Sequence, residues 1–222
     1  MQHIKSILII SVFFIAQSLN AQTVKENIPI NTDSINFFKV ESEAEYTGGL
    51  TAWRKYLEKK LNPDVAFNNN APIGKYAATV LFVVDKDGSL SDIKSVTNFG
   101  YGMEEEVKRV IALSGKWIPA IQNGKPVRAY RKQPVTFLLD SDEFSIATKT
   151  PYTLYSNADN EIEVTVRKLD RALISLNATG ANITALQDGK FIININKPGR
   201  IIIEVVNTKN NKQIGLASFE VQ

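Results

Sequence analysis

The sequence contains no cysteine and only one histidine, His3, among its 222 residues. Without cysteine the chain has no disulfide bonds, no thiol nucleophile and no lipoprotein-type lipid attachment, so its domains depend on core packing. Histidine is the commonest general base and a frequent metal ligand, and an enzyme of this composition would have to use carboxylates, serine or lysine. We therefore predict that the protein is not an enzyme and binds no cofactor or metal.

Dense basic segments are missing as well. The 26 lysines and arginines give a net charge of only +3 and form no run of five or more. Proteins that bind nucleic acid neutralise several phosphates with clustered basic side chains, so the charge pattern predicts no nucleic-acid partner. Apolar residues make up 44% of the chain and charged residues 22%, which is typical of a globular protein.

The N-terminal apolar run is too short to span a membrane. It covers residues 7–16, about half of the roughly 20 residues that a spanning helix needs. Lys5 precedes the run, and Leu19 and Ala21 follow it at the −3 and −1 positions of a small-residue cleavage site. This order predicts a cleavable signal peptide at residues 1–21 and no stable membrane insertion, with an uncleaved anchor as the alternative.

Residues 46–139 carry helical and strand patterns in turn, after a polar lead-in at residues 22–45 that we expect to have no regular structure. Apolar residues recur at steps of three and four between Leu50 and Leu61, which predicts a helix that ends before Pro63. The apolar run at residues 77–84 predicts a central strand. Turn residues around Gly88 then lead into a return strand at residues 89–96.

A second helix is predicted from Met103 onwards, where apolar residues again recur at helical spacing. Its first turn carries three consecutive glutamates, which we expect to be solvated and to pair with basic residues four positions on. The expected pairs are Glu104 with Lys108 and Glu105 with Arg109. The order helix, strand, strand, helix, strand predicts an α+β domain with a small antiparallel sheet.

Pro134 determines what we predict for the last strand of this domain, residues 127–139. Proline cannot donate a hydrogen bond to a β-ladder, so the strand belongs at a sheet edge or at a bulge. An edge strand can accept an extended peptide as an additional strand. Alternatively, Arg128, Arg131, Lys132 and Pro134 protect the edge from aggregation. The residue types leave both interpretations open.

Residues 151–222 show strand patterns only, after a polar linker at residues 140–150. Apolar and charged residues alternate around Val164 and again around Ile203, and turn residues separate the short strands. About seven short strands in this region predict a small all-β sandwich of the Ig-like type.

Residues 46–139 resemble the C-terminal domain of TonB in the form common in Bacteroidetes. The resemblance rests on the segments YTGGLTAWRKYLEKKLN, VLFVVDKDGSLSDIKSV, EEEVKRVIALSGKWIPA and NGKPVRAYRKQPVTFLL. It implies two helices on a three-stranded antiparallel sheet. Members of this family bind the TonB box of outer-membrane receptors by strand addition to their last strand, and they transduce inner-membrane energy for uptake.

The resemblance implies a docking strand, with an outer-membrane receptor or another envelope protein as the partner. Its residues would be Val127, Arg128, Ala129, Tyr130, Arg131, Lys132, Gln133 and Val135. The chain lacks the long proline-rich spacer of the family's transducers, so we expect partner binding rather than energy transduction by this chain alone. We expect it in the periplasm, in association with transmembrane transport at the outer membrane.

Residues 151–222 resemble, more loosely, a β-domain of GldM from the gliding and type IX secretion motor. The matching segments are LYSNADNEIEVTV, DGKFIININKPGRIIIEV and GLASFEV. This resemblance implies a binding or spacer module. It also supports an alternative function, a structural component of an envelope assembly in which an interface buries the edge strand, with a homodimer as one such interface.

Overall fold

The computed structural model describes residues 4–9 and 40–222. The predicted cleavage site and residues 22–39 of the predicted lead-in lie outside the described residues. No helix in the described part of the chain is both long and apolar enough to cross a membrane. An α+β region comes first and a region of strands follows it, in the order that the sequence predicts.

The described residues of the α+β region form two main helices, one short helix and six strands. These elements are β1 (Ile4–Ile9), α1 (Gly49–Lys60), α2 (Val65–Asn68), β2 (Ile73–Val84), β3 (Leu90–Ser95), α3 (Met103–Ala112), β4 (Ala120–Gln122), β5 (Lys125–Val127) and β6 (Ala129–Ser141). Strand β2 lies between β6 and β3, and both pairings are antiparallel. The predicted central strand is thus β2, with antiparallel neighbours on both sides, but in the described residues these three strands belong to a larger, eight-stranded sheet rather than to a three-stranded one. Strand β1 adds to the outer side of β6.

The two main helices cover one face of this sheet. Trp53 and Leu57 of α1 and Val107 and Ile111 of α3 are buried, as the helical spacing predicts. Alternate residues of β2 meet them, because successive strand side chains point to opposite faces. Full burial of each large apolar side chain stabilises the fold by about 1.5–3 kcal/mol. The helices are thus fixed to the sheet mainly by this shared core.

The predicted lead-in is built into the fold at its C-terminal end. The backbone N–H of Glu45 donates to the carbonyl of Ile118 over 3.0 Å, and that of Ile121 donates to the carbonyl of Ser42 over 2.9 Å. Ala44 is fully buried in the core. Residues 40–45 therefore belong structurally to the α+β region, although their polar composition gives no periodic signal.

The start of α3 differs from the prediction of three solvated glutamates. Glu104 is only 2% exposed. Its Oε1 accepts hydrogen bonds from the Thr97 hydroxyl at 3.0 Å and from the Phe99 amide at 2.8 Å. Glu106 pairs with Arg109, three rather than four residues on. The loop before α3 folds back over the first turn, and this tertiary contact excludes solvent from Glu104.

The second region forms a sandwich of two sheets. Its strands are β7 (Phe144–Thr148), β8 (Thr153–Leu154), β9 (Asp159–Val166), β10 (Ile174–Asn177), β11 (Ala181–Ala185), β12 (Lys190–Ile195), β13 (Gly199–Asn207) and β14 (Lys212–Val221). One sheet has the order β11-β12-β9-β7, and the other contains β14, β13 and β10. Phe144 lies in the sandwich core, so much of the predicted linker at residues 140–150 is instead strand β7.

The two regions share one continuous sheet. The end of β14 runs parallel to the start of β2, where Ala217 pairs with Ile73 and Ser218 pairs with Gly74. A Cβ atom on Gly74 would lie 2.7 Å from the carbonyl oxygen of Ser218, so this approach requires glycine. The Arg200 guanidinium of β13 lies 4.9 Å from the ring centre of Tyr76 and donates to the Ser218 hydroxyl over 2.8 Å.

Candidate functional site

The backbone of Pro134 faces the outer edge of β6, away from β2, so the N–H that proline lacks would not have taken part in the pairing with β2. Its partner across β2 is Thr79. The Thr79 N–H donates to the Thr97 hydroxyl over 2.9 Å, and the Thr79 carbonyl accepts from the Val96 amide over 2.8 Å. Opposed residues of an antiparallel pair either exchange both backbone hydrogen bonds or neither. The Thr79–Pro134 pair therefore exchanges none, and the proline removes no hydrogen bond between β2 and β6.

The same alternation divides the other residues of β6 into two sets. Ala129, Arg131, Gln133 and Val135 direct their backbone groups to β2, in a register without shifts. Tyr130 and Lys132 direct theirs to the outer side. Only these two of the eight predicted docking residues therefore combine a place on β6 with outward backbone groups.

The predicted docking segment is not one continuous strand. Val127 ends β5, which pairs with β4 through the turn at Asn123 and Gly124, where both residues have a positive φ. Arg128 lies between β5 and β6 and ties the hairpin of β2 and β3 by ion pairs of 2.8 Å to Asp85 and to Asp92. Strand β6 begins only at Ala129.

Several predicted docking side chains face the core rather than a partner. Val135 is fully buried, and Gln133 is 4% exposed. Arg131 forms a 2.7 Å ion pair with Glu43. Burial lowers the pKa of the Arg131 guanidinium, while Glu43 and Glu45 oppose that change. Tyr130 and Lys132 expose their side chains on the opposite face of β6.

The Gln133 side chain closes the outer edge at Pro134. Its Oε1 accepts a 2.7 Å hydrogen bond from the indole Nε1 of Trp53, and its Nε2 donates over 2.7 Å to the carbonyl of Pro134. Position 134 thus offers no N–H, and its carbonyl already has a donor. A ladder on the outer edge is interrupted here, so the edge falls into an upper half at residues 129–133 and a lower half at residues 136–141.

An aromatic cluster holds the upper half in place from behind. Trp53 lies 4.9 Å from Trp117, 5.1 Å from Tyr46 and 5.5 Å from Tyr56, measured between ring centres. The Trp117 backbone N–H donates to the carbonyl of Gly88 over 2.8 Å. Both tryptophans therefore belong to the core, and Trp53 holds the Gln133 side chain in place.

The lower half of the edge carries strand β1. Its six residues pair antiparallel with residues 136–141, from Ile4 opposite Ser141 to Ile9 opposite Thr136. Backbone groups of successive β6 residues face β2 and the outer side in turn. Since those of Pro134 face outward, those of Thr136, Leu138 and Asp140 do so as well. The predicted docking segment does not include this half of the edge, because the β1 residues carry the pattern of a signal peptide and no local signal reveals a distant strand partner.

No cluster of three or more acidic, histidine or cysteine side chains in the described part of the chain is placed to bind a metal ion. An open groove lies instead at the side of the sandwich between the edge strands β10 and β11. Leu176, Ile183 and Ile202 line it, and Ile202 is 42% exposed. Asn177, Thr179 and Glu204 line it as well, so the groove is of mixed polarity.

Comparison with known families finds a match in each of the two regions. Residues 77–139 match the family of the Gram-negative bacterial TonB protein C-terminal domain, and residues 144–222 match the GldM third domain. No curated protein is significantly similar to the chain. The two matches meet where β6 passes into β7, and they confirm the resemblances of both parts of the sequence. They support a TonB-like or gliding-type component of the cell envelope.

Proposed function

We propose that the chain is a periplasmic, non-enzymatic binding protein that docks an extended peptide or partner strand on the outer edge of β6, at the part of the predicted docking segment that forms the upper half, residues 129–133. The docking would be associated with TonB-dependent transport at the outer membrane. The observation that carries this proposal is the outward direction of the backbone groups of alternate β6 residues at an edge that already accepts one strand, β1. The match to the TonB C-terminal family supports it.

Main-chain hydrogen bonds would supply most of the recognition. Strand addition to a sheet edge uses the partner's own backbone, and each net hydrogen bond contributes about 0.5–1.5 kcal/mol. Because Gln133 and Val135 face the core, partner side chains would meet Tyr130 and Lys132 on one face and the Arg131–Glu43 pair on the other. The exposed Lys132 ammonium favours a partner that carries carboxylates near this position.

A second candidate function is structural. The match to the GldM third domain, together with the sheet shared by the two regions, favours a fixed component of a gliding or type IX secretion-like assembly. In that case another envelope protein or a second copy of the chain would cover the edge of β6 permanently. Such a protein would purify as a stable oligomer in which the outer edge exchanges no amide protons.

Titration with TonB-box-like peptides, followed by amide NMR, tests the docking proposal. We expect shifts along residues 127–135 and little change on the far side of the sandwich. Lys132→Pro removes one outward N–H at a position two residues from a tolerated proline, and it should weaken binding about tenfold. Lys132→Ala is the matched control, which keeps the backbone and removes only the charge. Shifts that avoid β6, or equal binding by both variants, would reject main-chain docking there.

A further inference from the structure

The lower half of the β6 edge is a second place where a strand can be accepted, separate from the segment proposed above. Its three outward residues, Thr136, Leu138 and Asp140, all lie beyond Pro134, where the edge ladder is interrupted. A strand on the upper half cannot continue through position 134 without displacing the Gln133 amide from the Pro134 carbonyl. The two halves can therefore take separate partners.

Strand β1 shows which kind of segment fits the lower half. It is extended, runs antiparallel to β6 and is mostly aliphatic, with the sequence Ile-Lys-Ser-Ile-Leu-Ile. On the face of the helices, the Ser6 hydroxyl donates to the carbonyl of Pro63, which lies between α1 and α2. On the other face, Ile7 lies opposite the half-buried Leu138 and remains 51% exposed.

The attachment of β1 to the rest of the protein is limited. It contacts β6 along one side, and half of the Ile7 side chain remains in solvent. Strands at a sheet edge held on one side only open more readily than central strands. The lower half of β6 is in contrast firmly held from inside, because Phe137 and Leu139 are fully buried and pair with Tyr76 and Gly74 of β2.

We propose that residues 4–9 form a displaceable cover on a strand-accepting segment at residues 136–141, and that an extended aliphatic partner strand binds there once the cover leaves. Removal of residues 1–21 as a signal peptide would open the segment permanently. Displacement would open it reversibly. The exposed edge would then carry three outward-facing residues without the partner they have now, which is the condition under which edges recruit a strand.

The test uses the full chain, produced without export so that residues 1–21 are retained, and two proline variants. Ile7 lies opposite Leu138, an outward residue, so its N–H faces β6 and Ile7→Pro removes that hydrogen bond. Leu8 lies opposite Phe137, whose backbone groups face β2, so the N–H of Leu8 points away from β6. Leu8→Pro is therefore the matched control, with the same substitution one residue away.

Amide hydrogen exchange is the first readout. We expect protection of the Thr136, Leu138 and Asp140 amides in the unmodified chain and in Leu8→Pro. In Ile7→Pro their exchange should be about tenfold faster or more, since an edge strand that loses a ladder bond detaches. Equal exchange rates in all three proteins would overturn the proposal that β1 covers this segment.

Binding of a synthetic peptide with the sequence of residues 4–9 is the second readout. A tethered strand competes at an effective concentration in the millimolar range, so Ile7→Pro should bind the peptide at least about tenfold more tightly than Leu8→Pro. NMR shifts should fall on residues 136–141. Shifts confined to residues 127–135 would overturn this inference and still support docking on the upper half. Equal affinity for both variants would also overturn it.

Discussion

The upper and lower halves of β6 belong to one strand and share one inner neighbour, yet they differ in what supports and covers them. The aromatic cluster supports the upper half from the core side, through the hydrogen bond between Trp53 and the Gln133 amide. The lower half lies beside the sheet shared with the second region, and β1 covers its outer side. Among the described residues, no strand pairs with the outer side of the upper half.

This difference shows how one proline can divide an edge without weakening the sheet. Pro134 lies opposite Thr79 in a pair that exchanges no backbone hydrogen bonds. The pairing of β2 with β6 therefore continues past the proline without a change of register. On the outer side the same residue interrupts any added ladder. A strand with an internal proline can therefore present two separate surfaces. Each surface can be tested by a change that affects one half and leaves the other intact.

The largest expected effect comes from removing the support of the upper half. Trp53→Ala deletes a 1% exposed indole and leaves the Gln133 amide without its donor. We expect the free energy of unfolding to fall by about 3–5 kcal/mol, the usual cost of truncating a buried aromatic side chain. Urea denaturation measures it. Leu113→Ala, at a side chain that is 65% exposed, serves as the control and should change stability by no more than about 0.5 kcal/mol.

The next largest effect is a fall in the free energy of unfolding at alkaline pH, caused by Tyr76, which supports the lower half of β6. Tyr76 lies opposite Phe137, and burial raises the pKa of its hydroxyl from 10.0 to about 12. The folded state therefore keeps a proton that the unfolded state loses. The contribution of Tyr76 is complete below pH 10 and is lost as the pH rises towards 12, by roughly 2–3 kcal/mol in total.

Urea denaturation at several pH values between 9 and about 12 measures this loss. Tyr76→Phe should flatten the decline, because the substituted ring has no proton to lose. The variant also loses the 2.8 Å hydrogen bond to the carbonyl of Pro72, so it should start from a lower stability at neutral pH. An identical alkaline slope in both proteins would show that Tyr76 is not the group responsible.

The smallest of these effects concerns the boundary between the halves. Gln133→Leu keeps the volume of the buried side chain but leaves the Trp53 indole N–H and the Pro134 carbonyl without their protein partner. We expect a loss of about 1–3 kcal/mol, the cost of an unsatisfied buried polar group. A double-mutant cycle with Trp53→Phe measures the coupling. Strictly additive losses would mean that the amide does not link the cluster to the edge.

The sequence predicts those parts of the fold in which a local pattern coincides with burial. The aliphatic run of β2 marks a strand with neighbours on both sides, and the spacing of Trp53, Leu57 and Leu61 marks the inner face of α1. Because proline has no N–H, Pro134 predicts that β6 lies at an edge, and this holds for its upper half but not for residues 136–141, which pair with β1. Two regions with separate cores also follow from the change of pattern near residue 140.

Contacts between segments that are distant in sequence could not be predicted in this way. Polar composition hides the pairing of Ser42 with Ile121, and the flanking charges hide strand β7 around the buried Phe144. Glu104 is buried by a loop that no spacing rule reveals. At the candidate site, the residue types predict an edge strand. They do not predict its division by the Gln133 amide, because that amide is held by Trp53, which lies 80 residues away in the chain.

Amide hydrogen exchange along β6 in the full chain tests the division of the edge most directly. The informative pair is Lys132, on the upper half, and Leu138, on the lower half, whose N–H groups both point outward. We predict that the Leu138 amide is protected by β1, and that the Lys132 amide exchanges at least about tenfold faster until a docking peptide is added and slows it. Equal protection of the two amides before and after addition of the peptide would contradict the account.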